Sequence, residues 1–155
     1  MMRIAAAAFL AILCLCSAPF TGAQAADAAL TPAAVEAWLK DYKSAWETRD
    51  ADKAAKLFTT DATYQEDPYQ APFVGQTGVH DYWAGVTKDQ SNIKFSSEVL
   101  AVSGNTGIAH WHAEFDQVST GNHAKLDGIF VLEFSGNSVS KLREWWHYAE
   151  APKAP

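Results

Sequence analysis

The hydrophobic period changes once along this chain, and that change restricts the folds open to it. Val35, Trp38, Leu39, Tyr42 and Trp46 recur at helical spacing and form one apolar stripe. From Ile93 onward the apolar residues alternate instead, as strands with two distinct faces require. Helices followed by strands predict an α+β domain. Thr31 is a good N-cap with Pro32 at the first helical position. Arg49-Asp50 interrupts the stripe, and Asp50 can cap a second short helix running through Leu57-Phe58. A third is expected at about 79–88, presenting Val79, Tyr82 or Trp83, and Val86. Strands are expected at 93–102, 108–118, 125–134 and 139–148. Gly104-Asn105 and Gly136-Asn137 mark tight turns between them, with a wider turn at 119–123. Long sequential strands joined this way form an antiparallel meander.

Strand parity assigns the faces. Ala109, Trp111, Ala113 and Phe115 share one side of the second long strand; His110, His112, Glu114 and Asp116 share the other. On the last strand Leu142, Glu144, Trp146 and Tyr148 lie opposite Arg143, Trp145 and His147. The third is apolar on both sides, with Phe130 and Leu132 set against Ile129 and Val131. A strand of that kind needs cover on its outer face, and a second copy in a homodimer is the simplest cover.

Residues 1–25 read as a cleaved secretory signal. Arg3 supplies the positive start, Ile4 to Cys16 the apolar run, and Ala23-Gln24-Ala25 a small-x-small cleavage site. The run is too short for a comfortable membrane span. We therefore expect an exported protein, periplasmic or secreted and bacterial in style, with no membrane insertion after cleavage. Residues 26–150 are expected to form one domain and 151–155 a flexible tail. Both cysteines fall in the leader, which leaves neither a disulfide nor a thiol nucleophile beyond it. The chain has 18 acidic against 12 basic side chains, and one of the basic ones is Arg3. That balance argues against nucleic acid and anionic membranes as partners. Six tryptophans in so short a chain favour an apolar cavity or a large interface.

The chemistry concentrates in Asp61-Ala-Thr-Tyr-Gln-Glu-Asp-Pro68, followed by Gly75 and Tyr82-Trp83. Two adjacent carboxylates, Glu66 and Asp67, stand beside a proline- and aromatic-rich loop. A carboxylate against apolar surface is where a raised pKa and acid–base work arise. Asp67 has a plainer use, capping the turn before Pro68. Glu144 is placed inward by parity; it either joins an acid–base couple or is tied to Tyr42 or Tyr64 as a brace. His110 and His112 point the same way, a metal-ligand geometry, and with Gly104 and Asp116 they partly mimic a first cupin motif. The second cupin motif is missing and the N-terminal third is helical. We therefore assign no metal and expect these histidines at the surface or an interface. Periodicity explains most tryptophans as core; Trp111 and Trp146 are best placed to line a cavity, with Trp83, Phe115 and Phe130 around them.

These short motifs, with Arg143-Glu144-Trp145 near the end, resemble the nuclear transport factor 2-like superfamily and its SnoaL-like and ketosteroid-isomerase-like branch. The resemblance spans roughly residues 33–150. It implies a cone in which N-terminal helices pack in a curved antiparallel sheet around a pocket. The steroid-isomerase tyrosine would fall on Tyr42 and its base aspartate on Asp67. One extra residue before the proline lets Glu66 compete for the inward position. The second oxyanion acid would fall on Phe130, which cannot donate a hydrogen bond, so ketosteroid isomerisation itself is not expected. The implied function is a pocket for a small apolar or amphipathic molecule, with cofactor-free isomerase, dehydratase or cyclase chemistry. Glu66 or Asp67 would be base, Tyr42 donor and Glu144 helper. The alternative is a non-catalytic binding or assembly module of the cell envelope.

Overall fold

The computed structural model describes residues 29–152; residues 1–28, which include the expected leader, and residues 153–155 lie outside them. Three helices, α1 (Pro32–Thr48), α2 (Ala51–Ala55) and α3 (Gly75–Val86), accompany six strands. These are β1 (Phe58–Gln65), β2 (Phe73–Val74), β3 (Gln90–Ser103), β4 (Thr106–Gln117), β5 (Asn122–Ser135) and β6 (Ser138–Pro152). They form one sheet in the order β2-β1-β6-β5-β4-β3. The expected meander is β3 to β6, antiparallel throughout. The sheet as a whole is mixed, because β1 runs parallel to β6.

The caps follow the sequence. Thr31 Oγ1 accepts the Ala34 amide at 3.2 Å, and Asp50 Oδ1 accepts that of Lys53 at 2.8 Å. Arg49 closes α1 in the left-handed region at φ 55°, which turns the chain at the point where the stripe breaks. The second helix ends at Ala55, earlier than expected, because Phe58 already enters β1. The third starts four residues early, at Gly75. This residue has φ +70°, and a Cβ there would meet the Thr60 carbonyl oxygen at 2.9 Å. Only glycine lets α3 start so close to β1.

The stripe of α1 packs across the concave side of the sheet. Val35, Trp38, Leu39, Tyr42 and Trp46 are buried with Ala109, Trp111, Ala113, Phe115, Phe130 and Leu132. The rings interlock: Tyr42 stacks on Trp38 at 5.1 Å and meets Trp83 edge-on at 5.1 Å, in the geometries that aromatic quadrupoles favour. Trp111, Gly128 and Trp146 stand in one row across β4, β5 and β6. A Cβ on Gly128 would lie 2.8 Å from the Trp111 indole and 2.7 Å from the Trp145 carbonyl oxygen. Gly128 thus makes room for the Trp111 ring. β6 runs on to Pro152, so Ala151 and Pro152 pair with His123 and Asn122 rather than opening a tail.

Candidate functional site

Burial along β6 stops abruptly. Leu142 and Glu144 are buried, whereas every residue from Trp145 to Pro152 is exposed. Glu144 therefore sits where the closed core gives way to an open mouth, overhung by Trp146 and Tyr148. A cavity of about 280 Å³ lies there, walled by α1, β1, α3, β4 and β6. Of the residues assigned to a pocket from sequence, Trp83, Phe115, Trp111 and Trp146 line it. Phe130 does not; it is fully buried beneath, stacked on Trp111 at 5.1 Å.

The two neighbouring acids part company. Ala62, Tyr64 and Glu66 share strand parity, and Ala62 and Tyr64 are buried, so Glu66 is carried inward to the cavity. Its Oε2 accepts the Tyr82 hydroxyl at 2.6 Å, a short, charge-assisted bond. Asp67 turns the other way: its Oδ1 accepts the Tyr69 amide at 2.8 Å, capping the turn at Pro68. It borders a groove on the outer side of the sheet, which Glu66 also reaches, and not the inner cavity, which Glu66 alone of the two lines.

Glu144 accepts the Tyr64 hydroxyl at 2.8 Å, and Tyr64 meets the Tyr42 hydroxyl at 3.1 Å. With Tyr64 donating to Glu144, Tyr42 donates to Tyr64, giving a chain of phenols that ends on a carboxyl. Tyr42 lines the cavity but spends its proton on Tyr64. Burial pushes the Glu144 pKa up to about 8; the Tyr64 hydrogen bond pulls against this and the Glu66 charge adds to it. Glu144 is thus mainly protonated at neutral pH. Tyr42, Tyr64 and Tyr82 are all held well above the ordinary phenol value, first by burial and next by the charge of Glu144, so they act as neutral donors. Trp83 and Trp111 also carry buried indole N–H groups without an acceptor among the described residues. Tyr64 is one of the two braces that the sequence offered for Glu144, and it is the one that holds it. Tyr82 was not selected from the sequence, because its bond to Glu66 depends on the approach of α3.

The histidines lie outside the cavity. His110 Nε2 stands 3.0 and 3.1 Å from the Asp127 carboxylate oxygens, and His112 Nδ1 is 3.7 Å from the same carboxylate. Among the described residues no group of three or more His, Cys, Asp or Glu is arranged to hold a metal ion.

The SnoaL-like domain model matches residues 35–142, most of the folded chain. The chain belongs to the SnoaL-like domain family. A comparison with curated protein sequences finds no match. Solved structures with the same fold include a protein with a ketosteroid isomerase-like fold from Catenulispora acidiphila, in complex with trimethylamine. It is 13% identical with a TM-score of 0.63, over 69% of this chain and 82% of that one. The type 2 hexachlorocyclohexane dehydrochlorinase LinA is 16% identical at a TM-score of 0.64, over 79% and 92%. SalBIII, an epoxide hydrolase/cyclase-like enzyme of pyran ring formation in salinomycin, is 14% identical at 0.63, over 72% and 89%. These likenesses establish the SnoaL-like cone for this chain, and that fold hosts several reaction types.

Proposed function

We propose that this SnoaL-like domain is a cofactor-free acid–base enzyme acting on a small amphipathic molecule held in the inner cavity. The observation that carries the reading is the pairing of Glu66 with Glu144 in one aromatic chamber, with Glu144 held protonated. Two carboxyl groups in unlike settings can serve as base and acid at one pH. Glu66, oriented by Tyr82, accepts a proton from the substrate. Glu144, held by Tyr64 with Tyr42 behind it, donates a proton or a hydrogen bond to a developing oxyanion or leaving oxygen. Isomerisation, dehydration and cyclisation all need this pair of transfers and nothing more. The SnoaL-like fold of dehydrochlorinase and cyclase-like neighbours supports the class of chemistry.

A panel of enolisable ketones, β-hydroxy ketones and hydroxy-epoxides, incubated in D2O and followed by proton NMR, tests the proposal. Turnover or stereospecific exchange is expected for at least one, falling about 10²–10⁴-fold in Glu66→Gln, the range typical of a lost general base. Turnover equal in wild type and Glu66→Gln would remove the proposal.

We further propose a homodimer through the outer sheet face and export directed by residues 1–25. A half-exposed Trp145 stands beside Ile129, His110 and His147 in a groove of about 690 Å³. This supports an interface there, and with it the alternative reading of an envelope assembly module. The inner cavity is the better candidate for chemistry, because there a buried carboxyl group, Glu144, shares a space with a second one, Glu66.

A further inference from the structure

The charge of the cavity wall is one-sided. Glu66 and Glu144 both face the space, and no Lys, Arg or His among the described residues lines it. The rest of the wall is chiefly indole and phenol rings, with Trp46, Trp83 and Trp111 on one side and Tyr82, Trp146 and Tyr148 toward the mouth. The face of each ring is the negative end of its quadrupole, and a desolvated organic cation gains most from such faces. An anion would meet two carboxyl groups and a ring of π-faces with no counter-charge.

We propose that the molecule this cavity takes is an organic cation, an alkylammonium compound that also carries an oxygen function. The inference rests on the inner cavity being the binding site and adds the charge class of the ligand. The ammonium group sits among the rings and is balanced by Glu66, and the oxygen meets the protonated carboxyl of Glu144. Carboxylate and phosphate compounds are excluded. At about 280 Å³ the space is slightly below the usual range for drug-sized ligands, which suits a compact head rather than a polycyclic skeleton.

The test is calorimetric titration of the purified protein at pH 7 with choline, its neutral isostere 3,3-dimethylbutan-1-ol, and the anion pivalate. Choline is expected to bind about tenfold more tightly than the alcohol, in keeping with a desolvated cation–π site, and pivalate not at all. Glu66→Gln should bring choline down toward the alcohol. If the alcohol binds as well as choline and both depend on the cavity residues, the charge class is wrong while the site stands. If choline binds but Glu66→Gln does not weaken it, or if none of the three probes binds, the inference is overturned. In the last case the binding-site reading falls with it.

Discussion

Tyr64 on β1 donates its hydroxyl to Glu144 on β6 across 2.8 Å, joining two residues 80 positions apart in the sequence. The parallel register sets Tyr64 beside Leu142, so Glu144 lies one inward step farther along β6 and within reach of the phenol. A neutral phenol can hold a carboxyl group in place without supplying the charge that would keep it ionised. This is why Glu144 stays both buried and protonated at neutral pH.

Stability should therefore depend on pH. The folded-state pKa of Glu144 is raised to about 8 from an ordinary 4.5. A raised carboxyl pKa means that the native state holds the proton more tightly. Its contribution is intact below about pH 4.5 and is lost as pH climbs through about 8. The loss could reach on the order of 5 kcal/mol, at about 1.4 kcal/mol per pK unit. Urea unfolding from pH 5 to 9 should show falling stability in wild type and a flatter profile in Glu144→Gln.

Tyr64→Phe should push the Glu144 pKa higher still. The Tyr64 hydrogen bond is the one influence that lowers it; its removal leaves burial and the Glu66 charge unopposed. The basic limb of any pH–rate profile should move to higher pH in this variant, because Glu144 is proposed to act in its protonated form.

Glu66 and Asp67, adjacent in sequence, should behave differently on substitution. Asp67→Ala removes a turn cap and should cost about 1 kcal/mol of stability, leaving the ligand affinity of the inner cavity unchanged. Glu66→Gln should reduce activity and cation affinity with little effect on stability. Parallel unfolding and binding measurements on both variants check the division.

Gly128→Ala should destabilise by about 1–3 kcal/mol, the usual cost of overpacking. The new methyl would meet the Trp111 ring at 2.8 Å and the backbone at 2.7 Å. A lowered urea midpoint, together with a change in tryptophan emission, is expected.

Trp145→Lys should turn the proposed dimer into a monomer, with the fold retained. Light scattering coupled to gel filtration reads the mass directly. A monomeric wild type would remove the dimer proposal and leave the inner site untouched.

Much of the fold was legible in the sequence because it rests on local rules. The stripe from Val35 to Trp46, the caps at Thr31 and Asp50 and the alternation of β4 and β5 all carried over. The choice between Glu66 and Asp67 was not legible: an added residue before Pro68 can slip strand parity, and only the packing of Ala62 and Tyr64 fixes which acid turns inward. Tyr82 escaped selection because its role comes from how closely α3 approaches β1 beyond Gly75. Phe130 was expected to line the pocket; it lies one layer too deep, covered by Tyr42 and Trp111. The parallel β1–β6 pairing, which brings Tyr64 to Glu144, joins segments that no local pattern connects.

The central claim, a protonated Glu144 coupled to Glu66 in one cavity, is tested most directly by carbon-13 NMR titration of the glutamate carboxyl groups. The signal missing from Glu144→Gln identifies Glu144. Its midpoint is expected near 8 in wild type and lower in Glu66→Gln, where the neighbouring charge is gone. A midpoint close to 4.5, or one that Glu66→Gln leaves in place, would contradict the account.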